Sequence, residues 1–156
     1  MKEIYSLEGT INRNFTGQIS YIVCLDEKVD CINIDFSFDK QIVNEITDEI
    51  RKDIVEDILI DYNKEPNEEE ILDASKHMKT EIHIAAFLND EFIGGIHRQM
   101  EKRNLYISKD EATLGGICND NIAGVLKINI MVFNVIYDNT NYKLTVSSGM
   151  KGDKNV

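Results

Sequence analysis

Residues 31–70 read CINIDFSFDKQIVNEITDEIRKDIVEDILIDYNKEPNEEE, and a change of period inside them decides the fold. Ile32, Ile34, Phe36 and Phe38 alternate with Asn33, Asp35 and Ser37, the spacing of a strand with one buried face. From Asp39 the spacing lengthens. Ile42, Ile46, Ile50, Ile54, Ile58 and Tyr62 recur every fourth residue, which predicts an amphipathic helix with Asp39 as its N-cap. Pro66, the only proline, closes that helix. Asn67 then caps a shorter one, with Glu68, Glu69 and Glu70 in a first turn where carboxylates suit the helix dipole. This second helix is expected to run to His77 or Met78.

Upstream, Tyr5, Leu7, Gly9 and Ile11 share one face of a first strand, and Ile19, Tyr21, Val23 and Leu25 one face of a second. Turns are expected at residues 14–17 and 26–28. Downstream, Ile82, Ile84, Ala86 and Leu88 alternate up to an Asn89-Asp90 turn leading into a strand over residues 92–99. Further strands are predicted over residues 105–108, 112–118, 122–137 and 142–148. The expectation is one α+β domain over residues 1–150, mainly antiparallel β-sheet. It comprises three N-terminal strands, a helical pair and a C-terminal β-meander, followed by a frayed tail at residues 151–156.

The chain has 156 residues and a net charge of −11, but the acidity is concentrated. Residues 39–73 hold 13 acids and 4 bases, whereas the rest is close to neutral with 15 and 13. Such a balance disfavours long nucleic acids and anionic membranes, which attract basic surfaces. Glu45, Glu49, Asp53, Asp57 and Asp61 form a ladder at spacing four, and each like-charge neighbour costs about 0.2–0.5 kcal/mol on a helix. That surface is a candidate for docking on a basic protein. A stripe at spacing four also drifts by about 40° per step, so it winds round the helix. Its second half is expected either to follow a twisted sheet or to pack on another subunit, which makes a homo-oligomer an expectation.

Ile93-Gly94-Gly95-Ile96-His97 resembles Leu114-Gly115-Gly116-Ile117-Cys118, and Asp-Glu precedes both. Paired glycines in strands mark bulges or close backbone approach, and two matching bulges are the simplest account. The first pair opens a basic island containing His97, Arg98, Lys102, Arg103 and Lys109. Gly94, Gly95, His97, Arg98, Lys102 and Arg103 therefore form an alternative candidate site, for a small anion such as a nucleotide. The simpler account of that island is a basic edge pairing with the acidic helix.

No phosphate-binding loop, dinucleotide glycine fingerprint or nucleophile elbow is present. Glu81 and His83 share a strand face, with His97 expected in the neighbouring strand, so a small hydrolase using His83 and His97 is a third reading. Cys24, Cys31 and Cys118 have no metal-like spacing. A turn at residues 26–29 would set Cys24 opposite Cys31, although reduced thiols are the expectation. No catalytic residue, metal or cofactor is assigned. With no apolar leader and no membrane-length segment, a cytoplasmic location is expected. The leading expectation is a non-catalytic cytoplasmic binding protein, of inhibitor or immunity type by size and charge.

Overall fold

The computed structural model describes residues 1–97 and 100–149. In chain order its elements are β1 (Lys2–Ile11), β2 (Gly17–Val29), β3 (Cys31–Phe38), α1 (Asp48–Tyr62), α2 (Glu68–His77), β4 (Glu81–Leu88), β5 (Glu91–Ile96), β6 (Lys102–Ser108), β7 (Ile122–Asn134) and β8 (Thr140–Gly149). The class is α+β, mainly antiparallel, with a helical pair between the third and fourth strands. Arg98 and the tail at residues 151–156 lie outside the described residues.

Two four-stranded sheets carry the eight strands, in the orders β1-β8-β3-β6 and β2-β7-β4-β5. Their inner faces share one core. Ile32, Ile34, Phe36, Leu105, Leu144 and Val146 come from the first sheet, and Ile82, Ile84, Leu126, Ile128 and Ile130 from the second. Each set follows the period-two alternation of its strand, which sends every second side chain to the same face. The C-terminal strands do not form the expected meander. β4 and β5 make a hairpin through Asn89 and Asp90, both at positive φ (51° and 68°), as an Asn-Asp turn allows. β6 then joins β3, β7 inserts between β2 and β4, and β8 inserts between β1 and β3. Alternation specifies which side chains face inward but not which strand lies alongside.

Three local expectations are corrected. β2 continues through residues 26–28 to Val29, with a register shift between Leu25 and Val29. Its neighbour is β7, not β3, so Cys24 sits beside Val125 while Cys31 lies in the other sheet beside Ser108 and Gly149. All three cysteines are free thiols. Residues 112–118 form no strand but a loop that touches β5 and β6 through single bridges, Gly94 with Gly116 and Ile107 with Ala112.

The third correction concerns α1, which starts at Asp48 with Thr47 as its N-cap, not at Asp39. The Asp39 carboxylate accepts instead from the backbone and side-chain nitrogens of Asn141. Beyond it, Gln41 accepts from the Thr80 amide, and Ile42 bridges Lys79. Asn44 and Glu45 donate their amides to the Tyr137 hydroxyl, which in turn donates to the Glu45 carbonyl. Long-range partners thus satisfy the backbone that two helical turns would have used. α2 matches its expectation: Asn67 accepts from the Glu70 amide, and Glu70 accepts from the Asn67 amide, a complete capping box.

α1 and α2 enclose a second, smaller core built on Ile50, Ile54 and Ile71. It sits beyond the ends of β3, β4 and β7, with Val43, Met78 and Tyr137 from the adjoining loops packed against it. Among the described residues no helix is long and apolar enough to cross a membrane.

Candidate functional sites

The carboxylate ladder is divided by the fold. Glu45 precedes α1 and lies in the segment held by Tyr137. Glu49 stands in the first turn, where a backbone amide hydrogen bond and then the Thr47 hydroxyl hold its carboxyl below the usual range. Asp53 pairs with Arg13 from the β1–β2 turn, a partner that nothing in the helical pattern signals. Asp57 and Asp61 remain exposed, with no ion-pair partner among the described residues. Asp61 stands at the negative end of the helix dipole, in a last turn with no basic residue.

The isoleucine stripe changes along the same helix. Ile50 and Ile54 are buried, Ile58 is half-buried, and Leu59, Ile60 and Tyr62 are 39%, 80% and 70% exposed. Ile58 still packs on the small core, and the winding of an every-fourth pattern carries the stripe off it by Tyr62. No other described residue buries Tyr62 or Ile60 there. The result is an end of α1 where large apolar side chains alternate with unpaired carboxylates.

The anion-site candidates are not brought together. Lys102 and Arg103 are neighbours on β6 and therefore point to opposite faces. Lys102 lies exposed beside Ser37, whereas Arg103 turns into the space between the sheets and is only 3% exposed. There its Nε donates to the Met100 carbonyl at 3.0 Å, and its Nη1 donates to the Ile82 carbonyl. The guanidinium carbon lies 5.9 and 5.4 Å from the ring centroids of Phe36 and Phe38. Burial lowers the Arg103 pKa to about 10, so it stays charged at neutral pH. Gly94 and Gly95 are buried, and the Gly95 amide is spent on the Gly115 carbonyl at 2.9 Å. The two similar glycine segments are each other's partners: the Ile117 amide also donates to the Ile93 carbonyl. Their role is a backbone seam between the residue 109–121 loop and β5.

The strand-parity reading of the histidines does place them together. Ile82 and Ile84 face the core, so Glu81 and His83 stand on the outer face of β4. His97 follows the end of β5, and its Nδ1 lies 3.2 Å from Nδ1 of His83. The rings meet edge to face at 5.0 Å between centroids, and Phe133 of β7 packs on His83 at 4.7 Å. Glu81 Oε1 stands 3.1 Å from His83 Nε2. Burial is the main reason that the His83 pKa lies below its usual value, and Glu81 opposes that shift. No hydroxyl or thiol nucleophile is seen hydrogen-bonded to either imidazole among the described residues. The pair therefore lacks the nucleophile–base contact that a covalent hydrolase needs.

Two facing antiparallel sheets with a helical pair at one end define a mainly β, two-core α+β protein, with its outward chemistry on α1 and on the outer face of β4. A model for a family of unknown function (DUF6669) matches residues 1–152, and the chain belongs to that family. Neither the curated proteins nor the solved structures contain a match.

Proposed function

We propose that this protein is a non-catalytic binding module that captures a basic partner protein through the C-terminal half of α1. The observation that carries the reading is the 80% exposure of Ile60 on the helix face of Asp57 and Asp61, which have no ion-pair partner among the described residues. Productive interfaces combine a few large apolar anchors, aromatic ones above all, with a charged rim that steers encounter. Ile60 supplies the anchor, and the two aspartates within one turn of it supply the rim. A carboxylate in the last turn of a helix, as Asp61 is, costs about 0.3–1 kcal/mol, so helix formation does not favour it there. An inhibitor-like role agrees with this charge and size. A cytoplasmic setting agrees with three free thiols in a chain without disulfides among the described residues.

The test uses the purified protein as bait in an extract of its source cell, with cross-linking and mass spectrometry. The Asp57→Lys/Asp61→Lys variant leaves Arg13 and Asp53 in place and is compared with Ile60→Ala. Both variants are expected to lose the basic protein captured by the native chain, and that capture is expected to weaken as salt is raised. Equal capture by the charge-reversed variant, or capture only of acidic proteins, overturns the reading.

A further inference from the structure

We infer that His83 and His97 form an open two-histidine site for a divalent transition-metal ion of borderline softness, with zinc as its simplest occupant. The site lies on the outer face of β4 and β5 and is independent of the α1 reading.

Glu81 Oε1 lies 3.1 Å from His83 Nε2, a contact of opposite charge and short distance that is not aligned as a hydrogen bond. His83 Nδ1 lies 3.2 Å from Nδ1 of His97, and without a metal one of the two donates to the other.

The same spacing suits a cation. Two nitrogens 3.2 Å apart both reach Zn²⁺ at about 2.0–2.1 Å with an N–Zn–N angle of roughly 100°, close to tetrahedral. To receive the ion, the ring that carries the bridging Nδ1–H moves that proton to its Nε2 through solvent, and the rings tilt so that both Nδ1 lone pairs turn from each other toward the metal. Imidazole nitrogen is a preferred donor for zinc, copper(II) and nickel(II), which sets the chemical class.

Two further observations bear on the site. A carboxylate that accepts from the other nitrogen of a ligating imidazole is a regular outer-sphere feature of metal-bound histidine, and Glu81 Oε1, 3.1 Å from His83 Nε2, is within reach of that role. Its negative charge also opposes the buried Arg103 guanidinium, which acts on the same imidazole. His83 is held in place by Phe133, so one ligand is pre-positioned, while His97 is exposed and leaves the outer coordination positions open to water. Among the described residues no group of three histidine, cysteine or acidic side chains is arranged around one ion. The site therefore binds through two protein ligands, more weakly than a closed four-ligand structural site.

Untagged protein under reducing conditions at neutral pH is titrated with zinc chloride alone, followed by calorimetry and by imidazole nitrogen NMR. One ion per chain is expected, with the Nδ1 resonances of His83 and His97 shifting and those of His77 on α2 unmoved. His97→Asn, an exposed substitution, is expected to weaken binding at least 10-fold. Glu81→Gln, which keeps the shape and removes the charge, is expected to weaken it about 10-fold, as loss of an outer-sphere carboxylate does. Thermal melting of each variant without zinc verifies that the fold is retained. Unchanged zinc affinity in His83→Asn/His97→Asn, or a zinc-induced shift at His77 or the exposed Cys24 and Cys118 in place of the pair, overturns the inference. So does the absence of any Nδ1 shift at millimolar zinc.

Discussion

Gly94 and Gly116 face each other across the seam between β5 and the residue 109–121 loop so closely that a Cβ on Gly94 would stand 2.9 Å from the Gly116 Cα. The neighbouring Gly115 is tighter still. Its φ is +96°, and a Cβ there would come within 2.2 Å of the Gly95 carbonyl oxygen. The loop covers the free edge of β5, which would otherwise offer unpaired backbone to another chain.

Gly115→Ala is consequently expected to destabilise the fold by about 2–4 kcal/mol, combining left-handed strain with a backbone clash. Gly116→Ala meets only contacts of 3.2–3.3 Å and carries no positive φ, so its expected cost is about 1 kcal/mol or less. Urea unfolding midpoints at equal m-value would show the difference. Equal midpoints for the two variants would contradict a backbone-to-backbone seam.

Arg103 supplies a second contrast. Truncation to alanine strips partners from the Ile82 and Met100 carbonyls and empties the space over Phe36 and Phe38. A loss of about 3–5 kcal/mol is expected. Arg103→Met leaves the same carbonyls unpaired but fills the volume and removes a buried charge, so less than half of that loss is expected. Chemical denaturation of both variants separates the two contributions. A methionine variant as unstable as the alanine one would mean that the hydrogen bonds dominate.

How far the chain could be read from its sequence depended on the range of the forces involved. The alternation of Ile32 to Phe38, the Asn67–Glu70 box and the Asn89-Asp90 turn are local, and each appears in the fold where the spacing places it. Strand parity likewise put Glu81 and His83 on one face and brought His97 to them. The stretch from Asp39 to Glu45 was illegible because Asn141 and Tyr137, about a hundred residues away, claim its polar groups. Ile42 and Ile46 continue the helical spacing of Ile50 perfectly well, but periodicity cannot register a competing tertiary hydrogen bond. Similarity between the two glycine segments was visible, whereas their mutual contact was not. No local pattern separates inward Arg103 from outward Lys102; that distinction comes from the parity of β6, which starts at Lys102.

The acidic end of α1 makes a prediction about stability that is separate from binding. Asp61 lies in the last turn of a helix whose C-terminus carries partial negative charge, and Asp57, one turn earlier, stands four residues from both Asp53 and Asp61. Asp57→Lys/Asp61→Lys is expected to raise helix stability by about 0.3–1 kcal/mol, chiefly through residue 61, seen as a higher melting temperature at low salt that converges on the native value at high salt. A lower melting temperature would mean that these carboxylates serve the fold, and their use as a partner-binding rim would lose its support.

The α2 end of the helical pair fixes a pH window. The Arg51 guanidinium donates to both Glu68 carboxylate oxygens at 2.7 and 3.1 Å and holds that carboxyl below its ordinary 4.5. Glu70 is lowered from the same value, first by Lys64 and then by the Asn67 amide. Both groups bind protons more weakly folded than unfolded, so their contribution to stability is present above pH 4.5 and is lost as the pH falls through the lower folded values. Melting followed by helical circular dichroism is expected to be insensitive to these two groups near neutrality and to fall with acidification below that point. Glu70→Gln removes the Lys64 pairing and one titrating group, and its melting temperature is expected to decline less steeply over the same acid range. An identical acid slope in the variant would show that the Asn67 cap and the Lys64 contact contribute nothing that depends on the charge of Glu70.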